Sequence, residues 1–177
     1  MALPQGRTER TVSPLEWRPM RPDDLDAVVE IARLSFPDHF EDRTCFQNRL
    51  AFYPRGCFVL AASEGAARGY LIAYPWRVDA APPLNTVIEG LPAEAEVIYL
   101  HDLALHPQAR GVGATAEIVR RLAEQATEDG WPAVALVAVN DAAGFWARHG
   151  FEIRTPPGMA AKLAGYGADA RYMVLQL

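Results

Sequence analysis

Two hydrophobic rhythms run along this chain. Segments with apolar residues every three to four positions alternate with short runs that are apolar almost throughout. The sharpest helical pattern spans Ala114 to Glu128. There Ile118, Val119, Leu122, Ala123 and Ala126 form one stripe, and Glu117, Arg120, Arg121, Glu124, Gln125 and Glu128 the opposite face. Gly130 ends it. Leu25, Val28, Val29, Ile31, Ala32 and Leu34 make a second stripe after Pro22-Asp23-Asp24, where Asp23 can cap a helix. Shorter helices are predicted over Asp42 to Phe52 and Ala142 to Arg148.

The apolar runs predict strands at Leu15–Met20, Cys57–Ala62, Tyr70–Trp76, Glu96–Leu105, Ala133–Val139, near Phe151 and at Arg171–Leu177. Ser63-Glu64-Gly65 turns the second strand back on the third. Ala133–Val139 is apolar on both faces, as a central strand covered by helices must be. Val78 to Ala95, rich in Pro, Ala and acids, reads as a loop. The order β-α-α-β-β-β-α-β-α-β-β predicts a mixed α/β (α+β) domain, with helices packed on a mainly antiparallel sheet of about seven strands. Residues 1–13 read as a polar tail and 14–177 as a single domain.

Composition narrows the function. Half of the 177 residues are hydrophobic, enough to build a core. The net charge of -5 argues against a nucleic-acid partner, whose electrostatic footprint is a basic excess. No apolar window approaches a membrane span, and the N-terminus lacks the apolar core of a secretory signal, so the expectation is a cytoplasmic protein without a membrane partner. Cys45 and Cys57 have no CxxC spacing and no nearby histidine, which argues against a disulfide framework and a zinc site.

One segment carries chemistry. The strand ending at Leu105 runs into Gln108-Ala109-Arg110-Gly111-Val112-Gly113, and a helix begins at once. The first turn of a helix leaves backbone N–H groups without partners, and the helix dipole adds partial positive charge there. Glycines at 111 and 113 let a phosphate approach the backbone, and Arg110 adds a mobile cation. The preferred ligand is a phosphate or pyrophosphate. A Walker A loop is absent, and the glycine spacing does not fit a Rossmann fingerprint.

These residues resemble the GNAT superfamily of acetyl-CoA-dependent N-acetyltransferases. Gln108-Ala109-Arg110-Gly111-Val112-Gly113 matches its Q/R-x-x-G-x-G/A signature. Leu103-Ala104-Leu105-His106-Pro107 is similar to its lead-in, and Asn140 with Phe145 to Phe151 (FWARHGF) to its downstream element. The resemblance implies a GNAT-like sheet whose fourth and fifth strands splay apart, with acetyl-CoA as cosubstrate and no metal. It implies that the pantetheine pairs with the fourth strand at Leu103 and Leu105. The pyrophosphate then rests on Arg110, Gly111, Val112, Gly113, Ala114 and Thr115. Asn140 is expected to hydrogen-bond the pantetheine and Trp146 to pack against it. The implied reaction is direct attack by a primary amine of a small molecule or protein. A non-catalytic acetyl-CoA sensor and a transferase of larger acyl groups are the alternatives, and the family's dimers leave a homodimer open.

The acid–base groups are less determined. Strict alternation puts Tyr99, His101, Leu103 and Leu105 on one strand face and Leu100, Asp102 and Ala104 on the other. His101 titrates near neutrality and is the first candidate base, or else a histidine that only shapes the acceptor pocket. Asp102, on the other face, reads as a structural partner. His101 and His106 are too far apart on a strand and its exit to share a metal. The family's usual acid is a tyrosine at the position occupied here by Trp146, and indole cannot protonate a thiolate at neutral pH. Tyr166, Tyr99 and Tyr172 are the remaining candidates for that role, with core packing the plainer reading of Tyr166. Tyr70, Tyr74 and Trp76 form an aromatic stripe that either lines the acceptor pocket or belongs to the core. Phe36, His39 and Phe40 lie where the family often walls its substrate site.

Overall fold

The computed structural model describes residues 13–111 and 113–177. Seven strands form one sheet: β1 Glu16–Pro19, β2 Cys57–Ala61, β3 Gly69–Trp76, β4 Val97–Leu105, β5 Ala133–Ala138, β6 Glu152–Ile153 and β7 Arg171–Gln176. Their order is β1-β2-β3-β4-β5-β7-β6. Every neighbouring pair is antiparallel except β4 and β5. Among the described residues the α-helices are α1 Leu25–Ser35, α2 Arg43–Phe52, α3 Ala114–Glu128, α4 Ala143–Arg148 and α5 Met159–Leu163. The expected mixed, mainly antiparallel sheet with flanking helices is therefore present. The sequence pattern missed α5, whose five residues are too few to display a helical period.

The sheet separates two apolar layers. Leu25, Val28 and Ile31 of α1 and Phe46 and Leu50 of α2 pack on one face, against Tyr70, Ile72, Tyr74 and Tyr99. Ile118, Val119 and Leu122 of α3 pack on the other, against Leu71, Ile98, Leu100 and Leu136. Each of those α3 side chains contributes about 1.5–3 kcal/mol by leaving water. The indole N–H of Trp17 donates to the carbonyl of Ala114 at 2.9 Å, tying β1 to the first residue of α3. The long loop after β3 is pinned to α2, where Asn48 accepts from the Ile88 N–H and donates to its carbonyl.

One irregularity positions the site. β3 and β4 pair regularly until the register shifts between Ile72 and Ala73, which face Asp102 and Leu100. His101 is the extra residue of a β-bulge, and a bulge re-aims the side chains beyond it. Strict alternation consequently fails along β4. Tyr99 and Ala104 lie in the layer beneath α1 and α2, whereas Leu100 and Leu105 lie in the α3 layer with Leu103 packed against it. Tyr99 therefore does not share a face with Leu103 and Leu105. Asp102, expected on the face away from His101, joins it on the α1/α2 side.

Candidate active site

β4 and β5 pair over only three positions, Ile98–Leu100 with Val134–Leu136. Beyond Leu100 and Leu136 the two strands splay apart. The gap is a cleft of about 340 Å³. Leu103 and Leu105 of β4 line it on one side, and Val137, Val139 and Asn140 on the other. Phe145 and Trp146 of α4 close its apolar wall, with Trp146 held edge-on between Phe145 and Phe151 at 5.0 and 5.3 Å.

At one end of the cleft stands the glycine loop. Arg110 and Thr115 line the cleft, and Gly111, Gly113 and Ala114 run between them. Val112 lies outside the described residues. Gly111 and Gly113 take positive φ of +85° and +74°, a region that L side chains rarely adopt, and no described residue beyond the chain neighbours lies within 4 Å of either missing Cβ. Gly113 caps the fifteen-residue α3, whose first N–H groups are unpaired within the helix. Open space beside backbone donors and a helix N-terminus suits an anion.

The other end is built from charged and phenolic side chains that meet from distant parts of the chain. The side chains of Glu41, between α1 and α2, and His101 of β4 are 3% and 4% exposed, and His101 Nε2 lies 2.6 Å from Glu41 Oε1. The Tyr74 hydroxyl is 3.3 Å from His101 Nδ1. The Tyr70 hydroxyl donates to Asp102 Oδ2 at 3.0 Å. Arg49 of α2 is 1% exposed, lies 5.7 Å from the centre of the Tyr74 ring and donates to the carbonyl of Thr86. Glu41, His101 and Asp102 all line the cleft.

These charges tune one another. Burial favours the neutral form of Glu41, but His101 and Arg49 outweigh it and hold the carboxyl below its ordinary value. Burial also works against the imidazolium of His101, yet Glu41 and Asp102 together lift its pKa above the usual value. At Asp102 burial dominates and raises the pKa to about 6, with His101 and the Tyr70 hydrogen bond pulling the other way and Glu41 adding to the rise. One donor atom from each of Glu41, His101 and Asp102 lies within 4.8 Å of the others, a spacing that a cation could bridge. Glu41 and His101 share a hydrogen bond, Asp102 takes one from Tyr70, and the Arg49 guanidinium adds positive charge beside Glu41. His106 is separate, its Nδ1 accepting from the Gln108 N–H.

Comparison with known proteins identifies this architecture. The family model "Acetyltransferase (GNAT) family" matches residues 25–151, well over half of the chain. The chain belongs to the GNAT acetyltransferase family. No curated protein sequence matches it. Solved structures share the fold at low identity. Ard1 from Thermoplasma volcanium is 16% identical with a TM-score of 0.69, covering 92% of this chain and 97% of its own. A GNAT family N-acetyltransferase from Escherichia coli in complex with CoA is 18% identical with a TM-score of 0.59, covering 96% and 85%. The GphF GNAT-like decarboxylase in complex with isobutyryl-CoA is 19% identical with a TM-score of 0.72, covering 91% and 98%. Membership of the GNAT family supports acyl transfer from acyl-CoA as the chemistry of this cleft.

Within the GNAT frame, the residues singled out in the sequence fall into three groups. Leu103, Leu105, Arg110, Thr115, Asn140 and Trp146 converge on the cleft, as do His101, Phe36 and His39. Tyr166 also reaches it, but its hydroxyl donates to the carbonyl of Pro82, and burial raises its pKa to about 12. Tyr99 does not line the cleft; it is 1% exposed within the core. Phe40 is exposed to solvent. Tyr70 and Tyr74 are core residues whose hydroxyls alone serve the cluster. Sequence reasoning missed Glu41, Arg49 and the placement of Asp102. No local pattern marks Glu41 or Arg49, and only the bulge reveals Asp102.

Proposed function

We propose that this GNAT protein transfers the acetyl group of acetyl-CoA to the amine of a cationic acceptor by direct attack. The observation that supports this most strongly is the continuity of the cleft. It runs from an anion-suited glycine loop, past the splayed strands, to the carboxylates of Glu41 and Asp102. The pyrophosphate rests on the N–H groups from Arg110 to Thr115. The pantetheine adds alongside β4 at Leu103 and Leu105, as an extra strand would, with Asn140 and Trp146 on its other side. The thioester then lies near His101 and Asp102. Glu41 and Asp102 favour an acceptor that arrives as an ammonium ion. Among the described residues Arg110 is the sole Arg or Lys lining the cleft, and it belongs to the glycine-loop end. Removal of the ammonium proton falls to the cluster that contains His101, and Tyr166 is the one tyrosine among the described residues that lines the cleft toward a departing sulfur, its proton shared with the Pro82 carbonyl.

Trp146 in place of tyrosine favours one rival: a protein that binds acetyl-CoA without turning it over. Release of free thiol from acetyl-, propionyl- and succinyl-CoA, measured with a panel of amines, separates the readings. Acetyl transfer gives amine-dependent thiol release that is fastest with acetyl-CoA. A sensor is stabilised by CoA against heat and releases none, and a larger-acyl transferase prefers a longer thioester.

A further inference from the structure

We propose that Asp102 is the catalytic base that takes the proton of the acceptor ammonium, and that His101 and Glu41 are positioning residues. This rests on the acyl-transfer reading above. Lone pairs distinguish the two residues. Both ring nitrogens of His101 are committed, Nε2 to Glu41 at 2.6 Å and Nδ1 to the Tyr74 hydroxyl at 3.3 Å. As an imidazolium the ring donates from both nitrogens. As a neutral ring it donates from one and accepts from Tyr74 through the other. Neither state leaves a ring nitrogen free to take a proton directly from a molecule in the cleft, because the one lone pair of the neutral ring is held by Tyr74.

Asp102 differs on each count. Its side chain lines the cleft. Oδ2 accepts from Tyr70, and Oδ1 takes no hydrogen bond from the described residues. The bulge at His101 turns both residues to the same side of β4, where strict alternation would have hidden Asp102. The charged and titratable groups around it are Tyr70 of β3, Tyr99 and His101 of β4, Glu41 before α2, Arg49 within α2 and Tyr166 after α5, with Tyr74 behind His101 and His39 on the cleft wall beside Tyr166. Their balance with burial leaves Asp102 with a pKa of about 6, so it is ionised at neutral pH yet basic enough to accept a proton.

The step balances. Asp102 Oδ1 takes one proton from the ammonium and passes it to solvent through the cleft. The amine's freed electron pair forms the C–N bond to the thioester carbonyl carbon. As the adduct collapses, the C–S bond breaks and sulfur leaves with its electrons. The second proton lost by nitrogen ends on that sulfur, giving CoA thiol and the amide.

The test is the pH dependence of kcat, followed by thiol release, in the wild type and in D102N, Y70F and H101Q. The wild type should show an acid limb near the Asp102 pKa. D102N should lose about 100-fold or more in kcat, together with that limb, while binding acetyl-CoA as before. Y70F removes the hydrogen bond that favours the carboxylate, so its limb should move to higher pH. H101Q removes a cation beside Asp102, so its limb should persist, displaced upward. A D102N protein that keeps both rate and limb, or an H101Q protein that loses the limb, overturns the assignment. If D102N does not fold, an unmoved limb in Y70F overturns it equally. A wild type that releases no thiol with any amine fails the acyl-transfer reading itself, which an active wild type with unaffected variants does not.

Discussion

The two ends of the cleft solve different problems with different materials. The glycine-loop end offers backbone N–H groups, a helix terminus and space. Its conformation is local, set within a few consecutive residues by two glycines at positive φ. The acceptor end is made of side chains from residues 41, 49, 70, 74, 101 and 102, which only the folded sheet brings together. A backbone-built site tolerates change in most side chains but fails when bulk or charge enters its open space. A side-chain-built site is coupled to the core, so altering one member disturbs both charge balance and packing.

The contrast is broken most sharply at Gly111. Gly111→Glu should weaken CoA binding by about 1,000-fold, roughly 4 kcal/mol, through bulk and negative charge at the pyrophosphate. The fold should survive, because the missing Cβ faces open space and the positive φ costs only about 1–2 kcal/mol. Titration calorimetry with CoA and a thermal melt check both halves. Unchanged affinity would show that the loop does not hold the cofactor.

The difference in materials also explains what could be read before the structure. The order of elements, the α3 stripe and the glycine loop depend on short-range periodicity and on turn chemistry, and each is visible in a window of fifteen residues or fewer. Alternation puts Asp102 on the opposite face because it assumes an unbroken ladder, and the bulge that breaks it is set by pairing with β3. Glu41 and Arg49 carry no local mark at all. Their pairing with residues sixty and more positions away, or with a loop pinned to α2, is a tertiary fact. Tyr99 was a reasonable candidate by parity and is a core residue by packing.

Arg49 sharpens the comparison from the acceptor side. Arg49→Met keeps the length of the side chain and removes its charge and its bond to Thr86. It should destabilise the protein by about 2–3 kcal/mol, by leaving Glu41 and the Thr86 carbonyl short of a buried partner. Urea unfolding measures this. CoA binding should change little, since Arg49 does not line the cleft.

A smaller effect is expected at Asp24, which pairs in two hydrogen bonds of 2.8 Å with Arg18, neither residue lining the cleft. Burial opposes its ionised form, but Arg18 and the Arg21 N–H prevail and lower the carboxyl pKa below 3.8. A lowered folded pKa stabilises above the unfolded value, and that stability fades as pH falls through the folded one. Asp24→Asn should therefore cost about 1 kcal/mol at neutral pH, and the gap to the wild type should close in acid. The least effect belongs to the solvated pair Arg120–Glu124 on α3, where Arg120→Ala should cost about 0.5 kcal/mol or less. A large loss there would mean that the outer face of α3 matters in a way that neither end of the cleft explains.

If one continuous cleft passes an acyl group from CoA to an amine, mass spectrometry of a reaction containing acetyl-CoA and the best amine of the panel will find one acetylated amine for each CoA thiol released, and no product when the amine is omitted. Thiol release without an acetylated amine, or tight acetyl-CoA binding with neither product, would contradict it.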